Sequence, residues 1–189
     1  RRYKATTDSR HSLPVAENVL ERQFAPDAPN RVWTGDITYI ATAEGWLYLA
    51  GILDGYSRKL KGWKLDENMK SSLTLEALDQ AVARAGRAPK LNHTDQGVQY
   101  ASKEYRERLS LWCIEPSMSR RGNCYDNAMM ESFWATLKTE LFGRYVPATR
   151  AEARSMIFEY IEVYYNRRRK HSALGYMSPV DFEAKLAYE

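Results

Sequence analysis

Three carboxylates stand at positions whose neighbours argue against simple surface charge. Asp36 lies within Val32 to Ala41, a run rich in β-branched and aromatic residues that predicts a strand. Strand alternation puts Asp36 on one face with Thr34 and Thr38, and Trp33, Ile37 and Tyr39 on the other. A carboxylate in the middle of a strand is costly unless it is paired or binds a cation. Asp95 directly follows a short strand-like segment and precedes Gly97, a place where α/β folds put ligand groups. Glu131 flanks the apolar stripe Met130, Phe133, Trp134 and Leu137, and a helical wheel at about 100° per residue groups it with Asn127 and Lys138.

Each acid alone also has an ordinary reading. Asp36 could pair with an arginine or lie on an edge strand, Asp95 could be a turn residue, and Glu131 could be a solvated helix charge. Taken together, three oxygen ligands with few histidines nearby suit Mg²⁺ or Mn²⁺ and argue against zinc. Two such ions can activate an attacking oxygen and stabilise a leaving oxygen in phosphodiester displacement. Phosphoryl transfer then needs positive charge, which Arg120, Arg121, Lys138 and the run Arg167, Arg168, Arg169, Lys170 and His171 can supply. The basic run reads equally as a helix end complementing its dipole. His93, on the same strand face as Asp95, reads either as a phosphate-positioning group or as a core histidine. Lys138 reads either as a phosphate contact or as a surface partner of Glu131 or Glu140.

The elements that must position these groups follow from periodicity. Val32 to Ala41, Trp46 to Leu53 and Lys59 to Leu65 predict an antiparallel meander with a turn at Glu44-Gly45. Thr74, Ala77, Leu78, Ala81, Val82 and Ala85 predict a helix ending at Gly86. Lys90 to Thr94 predicts a strand, Ser102 to Leu109 a helix with a serine cap, and Leu111 to Glu115 a further short strand. A basic loop, Pro116 to Tyr125, leads into a helix opened by Asp126 and ending near Gly143. A last helix carries Ala153, Met156, Ile157, Tyr160, Ile161 and Tyr164. The order predicts an α/β fold: a mixed five-stranded sheet flanked by helices, with a C-terminal helical extension. The expected division is an arm or linker at 1–30 with one short helix, a catalytic core at 31–145, and an extension with the basic segment at 146–189.

The chain has 189 residues, a net charge of +4 and a pI near 9.0, a mild bias towards polyanions. Cys113 and Cys124 lack metal-site spacing and read as ordinary thiols of a reducing, cytoplasmic setting. Nothing approaches the ~18 apolar residues of a membrane span, so a soluble protein without a membrane partner is expected. The tryptophans Trp46, Trp63, Trp112 and Trp134 are expected in the core. The start, without Met, suggests a piece of a longer polypeptide.

The motifs resemble the large two-reading-frame transposases of bacterial insertion sequences, which are related to retroviral integrases and share a ribonuclease-H-like core. The resemblance runs from about Arg10 to Glu183 and rests on Trp33-Thr34-Gly35-Asp36, Gly45-Trp46-Leu47-Tyr48-Leu49, Asp54-Gly55-Tyr56-Ser57-Arg58 and His93-Thr94-Asp95-Gln96-Gly97. It continues through Ser119-Arg120-Arg121-Gly122-Asn123, Asp126-Asn127-Ala128, Glu131-Ser132-Phe133, and Tyr165-Asn166 with Arg169, His171 and Pro179. Thirty-five residues separate Asp95 from Glu131, and Lys138 follows seven beyond, as the resemblance requires. Thr94 and Gln96 depart from the expected Ser and Arg.

The resemblance implies that Asp36, Asp95 and Glu131 hold two Mg²⁺ or Mn²⁺ ions. It implies hydrolysis at transposon ends, then strand transfer by the freed 3′-OH into target DNA, by a copy-out route through a figure-eight. It further implies a homodimer or higher oligomer on DNA in a bacterial cytoplasm, with a helix-turn-helix segment outside this chain reading the ends. The alternatives are a ribonuclease-H-like nuclease without strand transfer and a non-enzymatic DNA-binding module.

Overall fold

The computed structural model describes residues 11–21, 26–120 and 124–186. Its centre is a five-stranded sheet in the order β3-β2-β1-β4-β5. Strands β1 (Val32–Thr42), β2 (Gly45–Asp54) and β3 (Leu60–Asp66) form the expected antiparallel meander. Strands β4 (Leu91–Thr94) and β5 (Glu115–Met118) add on the other side of β1 in parallel. The parallel pairing makes α1 (Ser71–Ala85) a crossover, and its buried residues Leu73, Thr74, Ala77, Leu78, Ala81 and Val82 match the predicted stripe. Gly86 closes the helix in the left-handed conformation (φ 65°) that glycine adopts cheaply.

Two apolar layers sandwich the sheet. On one face Trp33, Ile37, Ala50 and Ile52 pack against α1, the short α2 (Val98–Ala101) and α3 (Lys103–Leu111). On the other, Ile40, Leu47, Leu49, Leu53, Leu60 and Leu65 pack against α4 (Ala128–Leu137) and α5 (Arg150–Phe158). Ser102 caps α3 as expected, accepting from the Tyr105 amide. Ala153 and Ile157 of α5, with Tyr160, Ile161 and Tyr165 after it, join the same core as α4, so residues 150–165 are packed against the domain.

Several elements differ from expectation. The fifth strand begins at Glu115, because α3 persists to Leu111 and a turn with Cys113 at φ 53° follows it. Pro116 is tolerated in β5 because this is an edge strand. The basic loop is correspondingly shorter, and a 3₁₀ turn over Cys124–Asn127 precedes α4. Tyr164 was expected in the apolar stripe but is exposed, while Tyr165 is buried. The helix widens into a π turn over Glu159–Tyr165, which rotates the buried face by a residue. Residues 11–21 form no helix; they run beside β5, where the Met118 amide donates to the Glu17 carbonyl and Ser117 Oγ accepts from the Val19 and Leu20 amides. This arm covers part of an otherwise open sheet edge. Trp46 and Trp112, expected in the core, are exposed, and so is Cys113.

The last helix, α6 (Pro179–Leu186), is fastened through Glu183, which accepts from Ser57 Oγ, Lys59 Nζ and the buried Lys61 Nζ. Burial alone would raise the Glu183 carboxyl, but Lys61 and these hydrogen bonds outweigh it and hold it below the usual carboxylate value. A lowered folded pKa stabilises the fold above the unfolded value and loses that contribution as pH falls through the folded value. Glu183→Gln is therefore expected to lower the unfolding free energy at pH 7 and to flatten the loss of stability on acidification below the ordinary glutamate range. Urea denaturation across that range checks it; parallel curves for both proteins would contradict it.

Candidate active site

Asp36 projects from the middle of β1 towards α4, opposite Gly51 in the β1–β2 register. The pairing dictates what can sit above it. A Cβ on Gly51 would lie 2.8 Å from the Trp134 ring, so only glycine leaves room for the indole here. There Trp134 Nε1 donates to Asp36 Oδ2 at 3.0 Å, and the Ile37 amide donates to Oδ1 at 2.8 Å. Asp36 keeps a limited opening to solvent but is otherwise walled in by protein.

Asp95 lies just past the end of β4, where the parallel pairing of β4 with β1 brings it beside Asp36, and its Oδ1 accepts from the Gly97 amide at 2.9 Å. Glu131 comes from the first turn of α4 and is partly exposed. The three charges act on one another. Burial, then Asp95, pushes the Asp36 carboxyl well above the usual carboxylate range; the Ile37 amide and Trp134 indole oppose this, and Glu131 adds to it. Burial likewise raises Glu131. Asp95 thus acts on Asp36 more strongly than Glu131 does. Among the described residues, no three His, Cys, Asp or Glu side chains already stand at the spacing of a metal cluster. An oxygen-only set with a like-charge pair at its centre fits a hard divalent cation, which would relieve the repulsion that raises Asp36.

Lys138, immediately after α4, turns towards this pair. Its ammonium lies 4.5 Å from the centroid of the Tyr39 ring, a cation–π contact. Burial lowers its pKa while the Asp36 charge opposes the shift. Glu140, one of the surface partners considered for it, is instead held by Arg169 and Tyr160. Tyr39 stacks edge-on against the exposed Trp46 at 5.0 Å.

The other basic and polar candidates are scattered. Arg120 is exposed, but its backbone and guanidinium bind the buried Asp126 carboxylate, which also accepts from Asn18 Nδ2. Arg121 lies outside the described residues. Asn127 is buried at the start of α4, with Oδ1 lacking a partner. His93 is fully buried and shares a 2.9 Å hydrogen bond with Ser117 Oγ, and burial pushes its imidazole down to about 4. Arg167 and Arg168 are exposed, with Arg167 Nε donating to the Glu162 carbonyl. Arg169 is spent on Glu140, Lys170 stands 3.7 Å from Asp181, and His171 packs edge-on against Tyr165. Sequence reasoning missed the positioning roles of Trp134, Gly51 and Asp126. The one available signal was Asp126 at the head of a recognised motif, because pairing across the sheet is invisible in one strand's pattern.

A five-stranded mixed sheet with acids from β1, the end of β4 and α4 defines the ribonuclease-H-like class of polynucleotidyl transferase. Among solved structures, the fold is similar to the simian T-cell lymphotropic virus intasome in complex with PP2A regulatory subunit B56 gamma. There the TM-score is 0.68 at 19% identity, covering 94% of this chain and 60% of that one. It is similar also to the HTLV-2 integrase catalytic core domain in complex with magnesium (trimeric form), with a TM-score of 0.64 at 18% identity, covering 83% and 98%.

Residues 26–124 and 112–179 match two integrase core domain families. The chain is 51% identical over 98% of its length to the insertion element IS600 31 kDa protein of Shigella sonnei, covering 68% of that protein. It is 48% identical to the IS904 transposase of Lactococcus lactis, covering 96% of this chain and 73% of the relative. With the InsF transposase of IS3A from Escherichia coli it shares 43% identity, covering 98% and 65%. The chain belongs to the integrase core family, within the IS3-type insertion-sequence transposases, and is a catalytic core of the DDE polynucleotidyl transferase class.

If the Trp134 indole fixes Asp36, Trp134→Phe should lower the rate of DNA-end processing about tenfold, the worth of one hydrogen bond to a charged group, with the unfolding free energy changed by less than about 2 kcal/mol. Single-turnover kinetics beside urea denaturation measure both; an unchanged rate would remove Trp134 from the positioning machinery.

Proposed function

We propose that Asp36, Asp95 and Glu131 are the catalytic metal ligands of a transposase that cuts phosphodiester bonds at transposon ends and joins the freed 3′-OH to target DNA. The observation that carries this is the convergence of three acids from β1, the end of β4 and α4, where Asp95 and Glu131 both raise the Asp36 carboxyl. Two Mg²⁺ or Mn²⁺ ions held there would supply activation of the attacking oxygen and stabilisation of the departing one. The HTLV-2 core was solved with magnesium, which supports the choice of ion.

The chain's own groups hold this arrangement rigid. Trp134 and the Ile37 amide fix both oxygens of Asp36, and the Gly97 amide fixes Asp95. Preorganised ligands avoid reorganisation when the phosphate charge redistributes. Lys138 stands on the same flank of α4 as Glu131 and is steadied over Tyr39, so its ammonium is placed to draw a DNA phosphate to the acids. The exposed Arg120, Arg167, Arg168 and Lys170, and Arg121 from the same sequence motif as Arg120, are the further basic residues we assign to DNA phosphate. His93 and Asn127, both buried, are assigned to holding the strand end and the start of α4 rather than to touching DNA.

The chain spans 65–73% of the length of the transposase relatives it matches, and recognition of transposon ends is assigned to a helix-turn-helix segment outside it. On this reading 31–145 is the catalytic core, 1–30 its arm and 146–189 a DNA-contacting extension. Assembly as a dimer or larger oligomer on DNA, and a copy-out route through a figure-eight, rest on likeness to integrases and insertion-sequence transposases. A nuclease without strand transfer is the rival.

Asp36→Asn, Asp95→Asn and Glu131→Gln should each reduce cleavage and joining at least a thousandfold while leaving DNA affinity within about threefold, because the lost interaction acts in the transition state. Pre-cleaved 3′-OH ends mixed with a target plasmid in Mg²⁺ read out joining directly. Near wild-type joining by any of the three overturns the assignment, and cleavage without joining by the wild type favours the nuclease.

A further inference from the structure

A cleft of about 530 Å³ opens between α4 and the loop 171–177. Met129, Ser132 and Thr136 line it from the helix, and Arg58, Lys170 and Tyr176 from across it. No carboxylate lines it among the described residues. Arg58 and Lys170 are the charges an entering ligand meets: Lys170 has only a loose, solvent-exposed pair with Asp181 at 3.7 Å, which a phosphate can displace, whereas Arg169 is held closely by Glu140 through two nitrogens. His171, in the same wall, is pushed down to about 4 by burial and then by Arg169 and Arg58, so it is neutral at pH 7 and adds no charge of its own.

Tyr176 is the unusual feature. It is 72% exposed and holds φ 61°, directly after Gly175 at the same angle. A bulky residue in the left-handed region is strained. The turn nevertheless holds it there: the Tyr176 amide donates to the His171 carbonyl at 2.9 Å, and a bridge joins His171 to Met177. The result is a turn with a held backbone that presents a solvent-facing ring beside two cations and the hydroxyls of Ser132, Thr136 and Ser172. Those are the recognition elements of a nucleotide: a π-face for the base and positive charge for the phosphate. Ser132 directly follows Glu131 in α4 but lies on the helix's other flank, so the cleft and the acids are separated by about one helix width, ~10 Å.

We propose that this cleft binds an unpaired DNA nucleotide flanking the one processed at the acidic site, with Tyr176 stacking on the base and Arg58 and Lys170 holding its phosphate. The inference rests on the reading of DNA as substrate and extends it, naming a strand that leaves the duplex next to the reaction.

The test is DNA binding in EDTA, where no chemistry occurs, with a short duplex carrying a single-stranded extension that contains 2-aminopurine, against the same duplex blunt. The wild type is expected to bind the extended form about tenfold more tightly, as one stacked base allows, and to quench its fluorescence. Tyr176→Gly, which relieves the strained φ, should melt no lower than the wild type yet lose both the preference and the quenching. Tyr176→Phe should keep both. Lys170→Ala should reduce the slope of log affinity against log salt by about 0.7 on the single-stranded extension. A Tyr176→Gly protein that retains the preference, or a wild type that shows none, overturns the proposal. Asp36→Asn should keep the preference, so loss of catalysis with the preference intact counts against neither the cleft nor its occupant, and failure of the catalytic reading is seen separately in the joining assay.

Discussion

Two carboxylates forced together in a partly enclosed site set the terms for the rest of this structure. Asp36 is carried by the central strand and Asp95 by the end of its parallel neighbour, so the sheet itself brings them together. Their repulsion, with burial, opposes ionisation of Asp36, while the indole of Trp134 and the Ile37 amide favour it. Gly51 exists in this balance because its missing side chain leaves room for the indole. The face of the sheet on which Asp36 lies is thus specified jointly by three elements, β1, β2 and α4, that are distant in sequence.

The same logic extends outwards. Glu131 and Lys138 occupy one flank of α4 and its continuation, with opposite charges near Asp36. Asp126, fully buried, gathers Arg120 and the lead-in residue Asn18 at the approach to α4, so the segment that precedes Glu131 is anchored on both sides. The later helices are part of this support. Tyr160 and Arg169 converge on Glu140 just past Lys138, tying a π turn over Lys138–Phe142 to the π turn over Glu159–Tyr165 and to the segment beyond it. Arg169, one member of the basic run expected to face DNA, therefore does structural work.

Local patterns made the strands of the meander, α1 with its glycine stop, the serine cap of α3 and the acidic residues legible, because alternation, helical stripes and caps are written within a few residues. What the sequence concealed was non-local. Nothing near Trp134 announces a bond to Asp36, and nothing near Gly51 announces the ring above it. The fifth strand was misplaced because Leu111 to Glu115 looks as strand-like as the true edge at Glu115–Met118, which only pairing with β4 selects. Tyr164 and Tyr165 exchanged places because a π turn shifts the helical phase, and adjacent tyrosines give no hint of it. Trp46 was assigned to the core on residue type, yet it lies on the outer part of the hairpin beside Tyr39.

The central claim, that the clustered acids are a cation site, is tested most directly by thermal unfolding of the wild type and Asp36→Asn with and without Mn²⁺. Without metal, Asp36→Asn should melt higher, because one of the repelling charges is gone. With Mn²⁺ the wild type should gain stability in proportion to RT ln(1 + [Mn²⁺]/Kd), and Asp36→Asn should gain little. Equal gains in the two proteins, or no gain in the wild type at millimolar Mn²⁺, would contradict the account.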